Sequence, residues 1–269
     1  MARYDVLMVS RFDTLPSRLL ECSQEKEIAG VPCLLVQSDE KPRPFLFWIH
    51  GRTADKELDP GRYLRCMRHN INVCAVDLPG HGQRFKQEYQ SSNRVLDVVL
   101  QMTDEIDAVL DGLRNYPGFD LHAGAIGGMS AGGLVAIMRL LRPHPFQSAI
   151  LEATGGSWEH LRHSPICETL SDDEFNAMNP IARLETWRDI PVIAFHSRHD
   201  AWMPFAAESE FIEAIKMKSQ NPENIELVAF DHTGAPDEHI GFGRETSFVK
   251  EIQVEFLARH LMNLKKVTP

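Results

Sequence analysis

Short apolar runs that alternate with segments of helical periodicity constrain the fold of this chain more than any other feature. The runs fall at residues 44–49, 71–77, 121–127, 148–152, 191–195 and 226–230. Their length and near-unbroken hydrophobicity are those of strands buried on both faces of a sheet. Between them, Val95, Val99, Met102, Ile106, Val109 and Leu113 recur every three or four residues, the stripe of an amphipathic helix. Residues 134–141, 208–218 and 248–264 carry the same signal. Strands alternating with helices predict an α/β fold, with a mainly parallel, doubly wound sheet and helices on both faces. Residues 18–37 read as a hairpin that turns near Ala29-Gly30, and the 269 residues suit one large domain. Residues 157–188 interrupt the alternation. They predict a small helical cap inserted between two strands, with an ordinary crossover helix and a long loop as the plainer reading.

A sheet of this kind binds ligands outside the carboxyl ends of its strands, so the polar residues at those ends are the candidates for function. Gly128-Met129-Ser130-Ala131-Gly132 follows one run and precedes a helical stretch. A serine on a sharp strand-to-helix turn projects its hydroxyl, and the flanking glycines remove Cβ atoms that would collide there. A serine hydroxyl is a weak nucleophile near neutral pH. It needs a base, and the base needs a group that fixes its tautomer. Asp200, just beyond the run at 191–195, can supply the carboxylate; its competing role is to cap the next helix. His232 and His239 both follow the last run. His232 has little loop with which to return over the serine, so His239 is the preferred base. The order Ser130, Asp200, His239 is that of one known triad arrangement. An oxyanion needs two donors. The N–H of Ala131 is one, and the loop His50-Gly51-Arg52-Thr53 offers the other, with Arg52 preferred to Thr53. His50, Trp158, Trp187 and Trp202 are candidate walls of a substrate pocket, with core packing as the competing role for the tryptophans. His81 reads as structural and Arg84 as a solvated arginine.

Composition removes other classes. The net charge of −10 argues against a nucleic-acid partner and gives no help toward an anionic membrane surface. Five scattered cysteines without a C-x-x-C pair read as free thiols of a reducing compartment. The amino terminus shows no signal peptide and the chain no membrane-spanning run, so a cytoplasmic protein is expected. His160-x-x-His163 lacks the spacing of a zinc helix, and no phosphate-binding loop or dinucleotide fingerprint is present. No metal and no cofactor are expected.

Taken together, His50-Gly51, Asp77-Leu78-Pro79-Gly80-His81-Gly82, Gly128-Met129-Ser130-Ala131-Gly132-Gly133, His196-x-x-x-Asp200-x-x-x-Pro204 and His239 resemble the alpha/beta-hydrolase superfamily over residues 18–264. Within it, the serine motif and Asn179-Pro180-Ile181-Ala182-Arg183-Leu184 are similar to the dienelactone hydrolase and prolyl oligopeptidase-like branch, which includes small bacterial esterases. The resemblance implies Ser130 as nucleophile, Asp200 as acid, His239 as base, and Arg52 and Ala131 as oxyanion donors. It departs from the pattern at His196-Ser197-Arg198-His199, where the family commonly has His-Gly; Arg198 and His199 add bulk beside Asp200. Dienelactone hydrolases proper use a cysteine, so the serine implies ester chemistry. The expected activity is that of a carboxylesterase-type serine hydrolase that takes a small ester through an acyl-enzyme. Thioester or small-peptide hydrolysis would share the machinery, and a non-catalytic binding protein would retain the fold alone. The sequence leaves oligomeric state open, a homodimer included.

Overall fold

The computed structural model describes residues 11–262. A mixed sheet of eight strands runs through it in the order β1-β2-β4-β3-β5-β6-β7-β8. The strands are β1 (Ser23–Ile28), β2 (Val31–Val36), β3 (Arg43–Ile49), β4 (Asn72–Val76), β5 (Phe119–Met129), β6 (Ser148–Glu152), β7 (Val192–Ser197) and β8 (Ile225–Phe230). β1, β2 and β4 pair antiparallel; every other pairing is parallel. The helices are α1 (Ser17–Leu20), α2 (Pro60–Arg68), α3 (Val95–Leu113), α4 (Ala131–Leu140), α5 (Asp172–Met178), α6 (Phe205–Lys218) and α7 (Thr246–Leu261).

The apolar runs become strands because both of their faces are covered. On one face, Phe47, Ile126 and Leu151 pack beneath α3 and α4 through Val98, Met102, Ile106 and Leu134. On the other, Trp48, Ala125 and Ile193 meet Tyr63 of α2 and Val254 and Leu257 of α7. The hairpin is shorter than residues 18–37, because Ser17–Leu20 turns into α1 first. Its turn places Ala29 at φ 52° and Gly30 at φ 79°, the left-handed pair that matches the twist of the flanking strands. α2 lies where no apolar stripe shows in the sequence. Pro60 starts it, and Arg62 and Arg65 spend their charges on ion pairs with Asp59, Glu152 and Glu251.

Residues 157–188 lie between β6 and β7 and hold a 3-10 turn (Trp158–Leu161), α5 and a second 3-10 stretch (Pro180–Thr186). α5 opens with a capping box, in which the Ser171 hydroxyl accepts from the Glu174 N–H and the Glu174 carboxylate accepts from the Ser171 N–H. Trp158, Phe175 and Leu184 anchor this segment in the core on the α3 and α4 face. The five cysteines are free thiols, and among the described residues no helix is long and apolar enough to cross a membrane.

Strand order decides where a ligand can sit. From β3 the chain moves to β4 on one side, then returns to β5 on the other. The connections therefore diverge above the ends of β3 and β5 and leave a crevice there. His50-Gly51-Arg52 leaves β3 and Ser130 leaves β5 at that point.

Candidate active site

Ser130 joins β5 to α4 at φ 52° and ψ −116°, a strained conformation for a residue with a side chain. The surroundings hold it. Its N–H donates to the Glu152 carbonyl on β6 at 2.8 Å, and its carbonyl accepts from Leu134 N at 3.0 Å and from Thr154 Oγ1 at 3.1 Å. The turn closes only because the next helix packs without a Cβ: one added at Gly132 would lie 2.2 Å from the Ile49 carbonyl oxygen.

The structure brings the three predicted side chains together. His239 Nε2 lies 2.9 Å from Ser130 Oγ, and His239 Nδ1 lies 2.7 Å from Asp200 Oδ2. The Asp200 Oδ1 atom accepts the N–H groups of Trp202 and Met203, each at 2.8 Å, which fixes the loop ahead of α6; the cap position of that helix is Pro204, so Asp200 does not cap it. Burial alone would raise its pKa. Hydrogen bonds from His196 and His239, the charge of His239 and the Met203 N–H outweigh burial and hold it below the usual carboxylate range. His232 is elsewhere, stacked on His199 with ring centroids 4.5 Å apart.

Two loops that are far apart in sequence are sewn together to present His239. Asp237 and Glu238 both adopt positive φ, 54° and 52°. The Glu238 carboxylate accepts from Thr233 N, Thr233 Oγ1, Gly234 N and Ser197 Oγ, and these bonds, the Thr233 N–H first, lower its pKa to about 2. Trp202 Nε1 donates to Asp237 Oδ2 at 3.1 Å, and the Trp202 indole stacks on the His239 ring at 5.2 Å and 14°. Sequence reasoning did not single out Glu238. Its adjacency to His239 was the available signal, but a carboxylate beside a histidine has many uses.

The loop after β3 is built from inside. His50 Nε2 accepts the Leu78 N–H at 3.0 Å, so the proton sits on Nδ1 and donates to the Gly51 carbonyl at 2.6 Å. Ala131 heads α4, where the first N–H groups of a helix have no intrahelical acceptor. The Arg52 guanidinium reaches outward to the Gln90 carbonyl at 3.1 Å and lies 5.9 Å from the Trp202 ring centroid. His81 is buried, with Nδ1 at 2.9 Å from the Pro79 carbonyl, and burial pushes its pKa down to about 4. Arg84 is not a solvated arginine: it donates twice to the Asp77 carbonyl and pairs with Glu105 at 2.8 Å.

A cavity of about 700 Å³ opens on this site, lined by Ser130, His239, Trp202 and His50 together with apolar Met129 and Ile166. Asp59, Arg62, Glu152 and Lys250 add charged groups to its lining. The 157–188 segment contributes Ser164, Pro165 and Ile166 to the wall. Trp158 and Trp187 do not line this cavity, contrary to expectation. Trp158 is fully buried in the core, and Trp187 packs edge-on against Phe211 of α6 at 5.6 Å. Both are the large apolar plugs that a segment of short helices needs to stay attached.

The sequence profile of the prolyl oligopeptidase family matches residues 64–263, well over half of the chain. The chain belongs to the prolyl oligopeptidase family. It is therefore a serine hydrolase, and its sheet is that of an alpha/beta hydrolase. A search of curated proteins found no match. Among solved structures, TT1662 from Thermus thermophilus superposes with a TM-score of 0.68 at 19% identity, over 89% of this chain and 97% of its own. The esterase Est2 of the Planctomycetes species Thermogutta terrifontis, solved with butyrate bound, gives 0.64 at 19% identity over 88% and 94%. The acylaminoacyl peptidase of Pyrococcus horikoshii gives 0.68 at 15%, over 89% of this chain but only 41% of its own. At these identities the neighbours speak for the fold alone.

Proposed function

We propose that this chain hydrolyses small carboxylic esters through an acyl-enzyme formed on Ser130. The observation that carries the reading is the unbroken line from Ser130 Oγ to His239 Nε2 and from His239 Nδ1 to Asp200, at 2.9 and 2.7 Å. His239 takes the proton as Ser130 Oγ attacks the carbonyl carbon. The N–H groups of Ala131 and Arg52 receive the oxyanion. His239 returns its proton to the leaving alcohol, and the C–O bond breaks. Water, deprotonated by the same imidazole, then releases the acid and restores the serine. Asp200 holds the tautomer with the proton on Nδ1 and balances the imidazolium as it forms. Cofactor chemistry has no part in these steps. The cavity, whose lining mixes apolar Met129 and Ile166 with charged Asp59, Arg62, Glu152 and Lys250, suits a short acyl group better than a long, wholly apolar one.

Peptide hydrolysis is the second reading, favoured by the family itself and by the acylaminoacyl peptidase among its structural neighbours. One experiment separates the possibilities. The wild-type chain is expected to label with a fluorophosphonate probe, and Ser130→Ala to lose labelling and to lose turnover by roughly 10,000-fold or more. Of matched p-nitrophenyl esters and aminoacyl p-nitroanilides, butyrate-length esters are expected to turn over fastest. Unlabelled wild type would sink the hydrolase reading, and faster anilide cleavage would replace esterase by peptidase.

A further inference from the structure

Asp200 meets a second imidazole. His196, on β7, places Nε2 3.4 Å from Asp200 Oδ2 and 2.9 Å from the Met203 carbonyl oxygen. Both neighbours are acceptors, so Nε2 carries a proton. The other ring nitrogen, Nδ1, lies 2.5 Å from Glu208 Oε2 on the first turn of α6. The side chains of His196, Asp200 and Glu208 are all fully buried.

One further proton is shared between Nδ1 and Glu208. If Glu208 held it, His196 would be neutral, and the resting site would contain Asp200 as a buried anion whose two imidazole neighbours were both uncharged. The buried set carries the same net charge in either arrangement, so the placement decides only whether a cation stands directly beside the Asp200 anion, where the attraction is strongest. With the proton on Nδ1, the ring is a cation set between the Asp200 and Glu208 carboxylates. Other groups around the ring do not supply the charge. Phe205 meets it edge-on at 5.7 Å. Arg198 stacks over the far partner, Phe205, at 4.8 Å and reaches Asp231 at 3.4 Å. Glu238 is bound to Ser197 and the Thr233 loop, and His239 faces Ser130. Burial would lower the basicity of His196, but the Glu208 charge and the hydrogen bonds that the ring donates to Asp200 and Glu208 raise its pKa to about 10; burial raises the Glu208 carboxyl as well, so the two compete for the proton and the geometry places it between them.

We propose that His196 is a positioning residue of the hydrolytic site, a buried imidazolium braced by Glu208 that counter-charges Asp200 and fixes the carboxylate toward His239. This rests on the reading of Ser130, His239 and Asp200 as the reacting set. The consequence is electrostatic. A positive charge behind Asp200 weakens the pull of that carboxylate on a proton at His239, so the base stays free, and the enzyme stays active, further into the acid range.

The test has a chemical arm and a spectroscopic arm. His196→Gln keeps an N–H donor near the position of Nε2 and removes the charge; Glu208→Gln removes the brace. In both variants the acid limb of kcat/KM, and of the fluorophosphonate labelling rate, is expected to move up by about 0.5–1 pH unit. Rates at pH 6 then fall severalfold more than rates at pH 9. A uniform loss at every pH, with the limb unmoved, would show a merely structural role and overturn the proposal. The second arm needs no variant. In wild-type protein labelled with ¹⁵N-histidine, one ring is expected to keep both nitrogens protonated without titrating from pH 6 to 8.5. If all twelve histidines read as neutral at pH 8.5, the proposal fails whether or not the variants fold. Wild type that neither labels nor turns over would sink the hydrolase reading, while the nitrogen spectrum would still report the charge of His196.

Discussion

At the scale of single residues, the site depends on where side-chain atoms are missing as much as on where they are. Gly132→Ala puts a Cβ 2.2 Å from the Ile49 carbonyl and 2.5 Å from that of His50, both backbone atoms that cannot swing aside. Overpacking of this kind costs about 1–3 kcal/mol. Because the strain falls on the Ser130 turn, activity should drop more than stability does. Urea unfolding compared with kcat/KM checks this, and a variant that keeps wild-type kcat/KM would refute it. The strand-end logic pointed to Ser130, Asp200 and His239 because each requirement was local: an exposed turn, an acid past a strand, a loop long enough to fold back. The partnership of His196 with Glu208 was not legible. It joins a strand to a helix twelve residues on, and only packing shows that the two face each other. Trp158 and Trp187 misled for a related reason, since an indole suits a pocket wall and a core plug equally well.

At the scale of elements, the charged part of the cavity lining is held by contacts between α2, β6 and α7. Arg62 donates to Glu152 at 2.7 Å and to Asp59 at 2.8 Å, and it lies 3.7 Å from the centroid of Trp48. Gln253 of α7 bonds both Arg62 and Glu152. Glu152→Ala strips one anion from a buried arginine and the acceptor from Gln253. It should destabilise the fold by roughly 3 kcal/mol, whereas Glu152→Gln, which keeps an acceptor, should cost less. Thermal unfolding of the pair measures the difference, and equal losses would mean that the retained acceptor does not help and that the cluster needs the charge itself. Strands and the long helices could be read from the sequence because each satisfies its own periodicity. α2 could not. Its buried face is built from Arg62, Tyr63 and Cys66, and a buried arginine looks like a surface residue until its anions are placed beside it.

At the scale of the whole molecule, buried histidines set opposing limits on stability. Burial lowers the pKa of His81 and of His144 from 6.5 to about 4. The unfolded chain takes up these protons first, so their contribution is full above pH 6.5 and is lost as pH falls toward 4. His196 runs the other way. With a pKa raised from 6.5 to about 10, it stabilises fully below pH 6.5 and loses that contribution as pH rises toward 10. Glu57, raised by burial from 4.5 to about 7, also favours the lower pH. Tm should therefore peak near neutrality and decline on both sides. In His196→Gln the alkaline decline should flatten while the acid decline persists; an unchanged alkaline limb would assign it to other groups. The alternation of runs could give the class of sheet, but not this balance, which depends on which histidines the packing leaves dry.

The stacking of Trp202 on His239 has a practical corollary. Of the four tryptophans, Trp202 is the one set face to face with His239, the proposed base, and at 46% exposure it meets solvent as well. A protonated imidazole in contact with an indole drains its excited state, and a neutral one does so far less. Under the proposed mechanism the emission of this one ring follows the charge on His239, and the protein carries an intrinsic fluorophore stacked on its proposed base.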